Sequence, residues 1–347
     1  LCKETIRMVK LLAPVSSFDS AVDVVKAGAD ELYCGVRIPS RLKYLWLNRR
    51  PECEVPTYEE LERIVKYAHS RKVKVILTTV MPFMTQSVEG DLRSHLRSCL
   101  NQGVDALIVT DLGILSLLRR MSVEVPLHAS TFFAAMNLEG VEFLKELGFK
   151  RVILERQLTI DEIREIVQGA GDNVEVEVFF HGGGCSNYNA SCYLLHWRLP
   201  RLAVKERVNP CMYLFDVYDA SHPQAGRLFE NVPVLDAFTW CSACRVRQLV
   251  RTGITGFKIV GRCLDREAQA FATEACRSLI DLAEKEPKQS SFEEKLEALK
   301  RKIVAFNLIK WGGPSLCATN RCYYSPFFTN PYPPFARAVE AKAGRRR

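Results

Sequence analysis

No stretch of this chain approaches the roughly 20 consecutive apolar residues that a bilayer-spanning helix needs. Its first residues, Leu1-Cys-Lys-Glu-Thr-Ile-Arg7, lack the apolar core of a secretory signal. The sequence therefore points to a cytoplasmic protein without a membrane span. Peptidase signatures are missing too: there is no His-Glu-x-x-His, no Gly-x-Ser-x-Gly and no evident Cys–His pairing outside one cysteine-rich region. The ordinary zinc, serine and cysteine routes to peptide hydrolysis thus find little support. Apolar residues are not scarce, because 48% of the 347 residues are hydrophobic and 25% charged, which excludes extensive disorder and allows one large domain or two ordinary ones. The net charge of +8 suits an anionic partner such as RNA, although part of it lies in the terminal Gly344-Arg-Arg-Arg347 run.

What is present is a regular alternation of short apolar runs and amphipathic helical patterns. Strand-like runs occur at Leu11–Pro14, Glu31–Gly35, Val73–Val80, Ala106–Thr110, Val125–Ser130, Val152–Arg156, Val174–Phe180 and Gly256–Val260. Helical patterns over Phe18–Ala27, Tyr58–Ser70, Leu138–Leu147, Ile160–Val167 and Arg266–Glu284 lie between or after them. Eight βα units in this order predict an α/β fold of the (β/α)8 TIM-barrel type, with a doubly wound open sheet as the alternative. The barrel is expected over residues 1–285, with a long cysteine-bearing insertion at 181–253 between the seventh and eighth strands. A C-terminal helix, a proline- and aromatic-rich wrap and a basic tail are expected over 286–347. Active sites of such barrels sit at the C-terminal ends of the strands, which makes Thr79, Asp111, His128, Ser130, Glu155, Arg156, His181, Lys258 and Arg262 a shortlist. Loops are polar in any case, so about half of such a set is expected to be ordinary hydrogen-bonded groups.

In a reducing compartment the thirteen cysteines are not expected to form a disulfide framework, and clusters of them read as metal ligands or buried thiols. Cys34, Cys99 and Cys276 fall in apolar strands and helices and read as small core residues. Cys2, Cys53 and Cys263 are isolated in sequence and read as bland, although Cys263 follows the eighth strand. Cys317 and Cys322 form a C-terminal pair that could cap the insertion, bind a second metal or pack. Cys185, Cys192, Cys211, Cys241 and Cys244 share the insertion, where four thiolates could hold zinc or an iron-sulfur cluster. Only Cys241-Ser-Ala-Cys244 has the tight knuckle common in structural zinc sites, which tilts the balance toward iron-sulfur.

The stretch Glu177-Val-Phe-Phe-His-Gly-Gly-Gly-Cys185, with Cys192 after six further residues, resembles the signature of peptidase family U32, the collagenase-like proteins. Leu11-Leu-Ala-Pro14 with Ala27-Gly-Ala-Asp30-Glu-Leu-Tyr33, His128-Ala-Ser-Thr131 with Asn137, and Phe257-Lys-Ile-Val-Gly-Arg262 resemble further family motifs in the family's order. The chain departs from the pattern at Gly183, Gly184, Ala190 and Leu195, at Gln157 where a glutamate is usual, and at Val260 where Lys-Ile-Glu-Gly-Arg has its glutamate. The resemblance implies a 4Fe-4S cluster, with Cys185, Cys192 and Cys211 as its first three ligands and Cys241, or alternatively Cys244, as the fourth. It also implies oxygen-independent hydroxylation, of a ubiquinone-type ring or of an RNA base, with the peptidase label as an older reading. Arg156, Lys258 and Arg262 would then fix a small carboxylate, and His181, with His128, would serve acid-base chemistry. The other class left open is a non-catalytic cluster-carrying subunit paired with a homologous barrel.

Overall fold

The computed structural model describes residues 9–38, 53–79, 84–183, 215–218, 227–232, 241–311 and 322–324. In chain order the strands are β1 (Lys10–Pro14), β2 (Glu31–Cys34), β3 (Lys74–Thr78), β4 (Ala106–Val109), β5 (Leu127–Ala129), β6 (Arg151–Ile153), β7 (Glu175–His181), β8 (Phe215–Tyr218), β9 (Arg227–Val232) and β10 (Gly256–Ile259). The helices are α1 (Phe18–Lys26), α2 (Tyr58–Ser70), α3 (Glu89–Leu100), α4 (Leu112–Arg120), α5 (Leu138–Glu146), α6 (Ile160–Ala170), α7 (Val246–Val250), α8 (Arg266–Lys285) and α9 (Gln289–Trp311).

Eight strands close a parallel barrel in the order β1-β10-β7-β6-β5-β4-β3-β2. Closure excludes the open doubly wound sheet, because β1 pairs with β2 through Leu12 and Glu31 and with β10 through Lys10 and Gly256. Helices start where the sequence supplies a side-chain cap: Ser17, Thr57, Asp111, Asn137, Thr159 and Asp265 each accept a hydrogen bond from a first-turn amide. Ser17, Asp111, Thr159 and Asp265 lie within six residues of a strand C-terminus, so they fix the rim on which the site is built. The segment between β7 and α7 contains an antiparallel hairpin, β8–β9, that the sequence pattern does not announce. Phe215 and Tyr218 on it are exposed, so no buried face leaves an alternating signal. α9 packs through Phe292 and Leu296, and Arg247 of α7 stacks on the Phe292 ring at 3.8 Å.

Alternation along the strands separates two interiors. Phe180 and Phe257 of neighbouring strands point toward the helices and meet edge to face at 4.6 Å. The other face carries charge. Arg151 of β6 donates to Glu31 of β2 at 2.5 and 2.9 Å, and these strands are not neighbours, so the pair meets through the barrel's inside. Glu175 accepts from Arg151 at 2.7 Å and from Lys10 at 2.6 Å, and Glu177 accepts from Arg151 at 2.9 Å. This ionic layer floors the barrel at the strands' N-terminal ends. Its stability depends on completeness, because removing one partner of a buried pair typically costs about 3–5 kcal/mol.

Candidate functional site at the barrel mouth

The exit of β7 organises the mouth. His181 ends the strand, and Gly182 and Gly183 follow with φ of +80° and +64°. A Cβ on Gly182 would stand 2.1 Å from the Val260 carbonyl oxygen, so only glycine lets the chain leave the strand pressed against the end of β10. The Val260 amide donates to the His181 carbonyl at 2.8 Å and locks that approach.

Cys241 lies beside this exit, in an antiparallel bridge with His181 and a parallel bridge with Cys322. The next residue, Ser242, donates through both its amide (2.9 Å) and its hydroxyl (3.0 Å) to the Phe180 carbonyl. The Ala243 amide donates to the Cys241 sulfur at 3.3 Å, the kind of contact that favours a thiolate. Cys322 is carried by a C-terminal segment that docks on β7. The Tyr323 amide donates to the Cys241 carbonyl at 3.0 Å, its hydroxyl to the Gly182 carbonyl, and the Tyr324 hydroxyl to the Phe179 carbonyl at 2.9 Å. Cys244 is exposed. Cys185, Cys192, Cys211, Cys317 and Cys2 lie outside the described residues. Among the described residues no three His, Cys, Asp or Glu side chains are grouped as a metal would require. The donor chemistry at Cys241, with an amide directed at its sulfur, is that of a thiolate ligand.

Three cations of the shortlist converge on two aromatic rings. The Lys258 ammonium lies 4.3 Å and the Arg262 guanidinium 5.8 Å from the centre of Tyr33, and Arg156 stacks 4.0 Å over Phe179. Arg262 donates to Thr78 at 3.0 Å and to Glu54 at 3.4 Å, while Arg156 contacts Glu155 at 3.4 Å. Lys258 approaches Glu177 at 3.9 Å. Burial pushes the Lys258 amine down to about 8 against the opposing pull of Glu177, and burial pushes Glu177 up against Lys258 and Arg151. Burial also lowers His181 to about 4, so it is a neutral imidazole across the ordinary pH range. His128 stands in register with Arg151 and so belongs to the floor rather than the rim, and burial with the nearby Arg151 charge keeps it neutral.

Tyr33, Glu54, Glu177 and the Tyr323–Tyr324 pair were not on the sequence shortlist. A signal existed for Glu177: in Val174-Glu-Val-Glu-Val178 two carboxylates alternate with apolar residues on a strand that must be buried on both faces. Cys53 and Cys263, read as isolated, form a disulfide with Cα atoms 4.5 Å apart across a sequence separation of 210. The bond joins the residue before Glu54 to the residue after Arg262. Cys34, Cys99 and Cys276 are buried, as expected of core thiols.

The family model of peptidase family U32 matches residues 16–308. An uncharacterized protease of Methanocaldococcus jannaschii is 29% identical over 304 residues, covering 85% of this chain and 70% of that protein. tRNA hydroxylation protein P1 of Bacillus subtilis is 27% identical, over 78% of this chain and 63% of its own length. The 23S rRNA 5-hydroxycytidine C2501 synthase of Escherichia coli is 27% identical over 78% of this chain, which spans only 39% of that enzyme. The solved structure of a U32 peptidase aligns with a TM-score of 0.46 at 16% identity, over 75% of this chain and 95% of that one. No helix among the described residues is long and apolar enough to cross a membrane.

Proposed function

Because the chain belongs to peptidase family U32, we propose that it is an iron-sulfur hydroxylase of RNA bases, holding a 4Fe-4S cluster on Cys185, Cys192, Cys211 and Cys241 over the barrel mouth. The observation that carries this reading is the bridge between Cys241 and His181, which sets the proposed fourth ligand beside the strand exit that leads to Cys185. The hydroxylation proteins among its relatives, named for tRNA and 23S rRNA, support the reaction class and favour RNA over a quinone ring. When bound, such a cluster supplies electron transfer or activation of an oxygen donor. The chain's own residues do the rest. Arg156, over Phe179, and Lys258 and Arg262, both over Tyr33, would fix a carboxylate or phosphate. The His181 imidazole, held neutral beside Cys241, would hydrogen-bond the bound substrate.

Peptide hydrolysis is disfavoured at the Cys–His contact among the described residues. Cys99 and His95 lie 3.7 Å apart, but burial raises the thiol and lowers the imidazole to about 4, so no thiolate–imidazolium pair forms.

Anaerobic purification with iron and sulfide analysis and electron paramagnetic resonance tests the cluster in wild type and in Cys185→Ala, Cys192→Ala, Cys211→Ala, Cys241→Ala and Cys244→Ala. Four of the substitutions should abolish the signal and Cys244→Ala should retain it. Zinc without iron ends the redox reading, and loss in Cys244→Ala but not Cys241→Ala moves the fourth ligand. Nucleoside mass spectrometry of RNA from cells with and without the gene tests the substrate. An unchanged profile, with a second barrel protein co-purifying, would replace the enzyme by a cluster-carrying subunit.

A further inference from the structure

Inside the barrel, between floor and mouth, Lys258, one of the three cations of the proposed function, forms with Glu177 a pair whose carboxylate that reading does not use. Lys258 projects from β10 and Glu177 from the adjacent β7, where Glu177 stands in register with Gly256 and its side chain lies against that glycine. The Lys258 ammonium makes no hydrogen bond among the described residues: its neighbours are the Tyr33 ring face at 4.3 Å and Glu177 Oε1 at 3.9 Å. Glu177 Oε1 is fully buried without a hydrogen-bond partner, while its Oε2 is held by Arg151 at 2.9 Å. The two groups therefore face each other at ion-pair distance without a hydrogen bond between them. The surrounding surface is arranged for an anionic molecule, since Arg262 shares the Tyr33 ring with Lys258.

We propose that Lys258 is a nucleophilic amine that captures a small carbonyl compound bearing an acidic group as an imine, with Glu177 as its acid-base partner. A proton moving from the ammonium to the carboxylate leaves the total charge unchanged and creates nucleophile and acid together. The Lys258 nitrogen lone pair forms a bond to the carbonyl carbon, and the carbonyl oxygen takes the proton from Glu177. The nitrogen then returns a proton to Glu177, which delivers it to the departing hydroxyl. The C–O bond breaks, one water leaves and C=N remains, so amine and carbonyl give imine and water with no oxidation or reduction. Burial favours each half: it depresses the amine and raises the carboxyl. Below, Arg151 anchors the carboxylate so that one oxygen stays directed at the amine. This inference needs no metal, so it stands or falls independently of the cluster.

The test is reductive trapping of the whole protein with pyruvate and cyanoborohydride, followed by peptide mass spectrometry. Lysines on the surface supply the internal reference, such as Lys66, whose side chain is 73% exposed. An amine near 8 has about two-hundredfold more neutral form at pH 7 than an ordinary lysine. Lys258 should therefore be labelled at least tenfold faster than Lys66, with a rate that levels off above about pH 8. Glu177→Gln should slow labelling at Lys258 but not at Lys66, and Lys258→Arg should abolish the fast phase. Label confined to exposed lysines in the wild-type protein overturns the proposal, as does a Lys258 rate that keeps rising to pH 10. Because both outcomes are read in wild type, a variant that fails to fold does not shield the idea.

Discussion

Three imidazoles are held in the interior in neutral form: His95 and His181, each lowered to about 4 by burial, and His128, lowered further by burial and Arg151. A group whose folded pKa lies below its unfolded value near 6.5 contributes stability that is complete above 6.5 and is lost as pH falls toward the folded value. For His181 the full loss is about 3 kcal/mol between pH 6.5 and 4, and the others act with the same sign. Urea unfolding should therefore show a steep decline from pH 7 to pH 5, about 2 kcal/mol each for His95 and His181, with His128 acting in the same direction. A flat profile over that interval would mean that water reaches these rings. At this scale the sequence was informative where a charged residue ends or follows a barrel strand, as at Arg156, Lys258 and Arg262, which lie over Phe179 and Tyr33. It was uninformative for His128, because a short strand does not reveal from its apolar run alone which layer of the barrel a residue occupies.

Elements were legible because each barrel strand is an apolar run and most helices carry their own caps. β8–β9 and the docked Cys322–Tyr324 segment were not, since neither forms a periodic buried face and both depend on contacts distant in sequence. The β7 exit offers a test of how tightly two such elements are joined. At Gly148 φ is +90° and a Cβ would meet nothing within 4 Å, so alanine there incurs only the left-handed penalty of about 1–2 kcal/mol. At Gly182 the same conformational penalty is joined by collision with the Val260 backbone. Thermal unfolding should rank Gly182→Ala well below Gly148→Ala, and hydrogen exchange should show the difference localised to the ends of β7 and β10. Equal stabilities would mean that the strand exit yields without cost.

On the scale of the whole molecule, the charged floor and capped rim make the barrel, and the Cys53–Cys263 bond adds a covalent tie across its mouth. In the loop-entropy account, closing 210 residues stabilises the folded state by about 5 kcal/mol. Reduction, or Cys53→Ser with Cys263→Ser, should lower the unfolding free energy by up to that amount, measured by denaturant titration. Identical titrations with and without reductant would show that the bond is not formed in solution. No single-sequence reading links these two cysteines, because each lies in its own loop and the barrel must close before they meet. The closed bond also turns the chain into a ring from Cys53 to Cys263 that threads through β3 to β10, with an N-terminal tail carrying β1 and β2 and a C-terminal tail carrying α8 and α9. Even when denatured, that ring would keep six of the eight barrel strands on one short tether, so barrel closure reduces to seating the N-terminal tail's two strands in a single remaining gap.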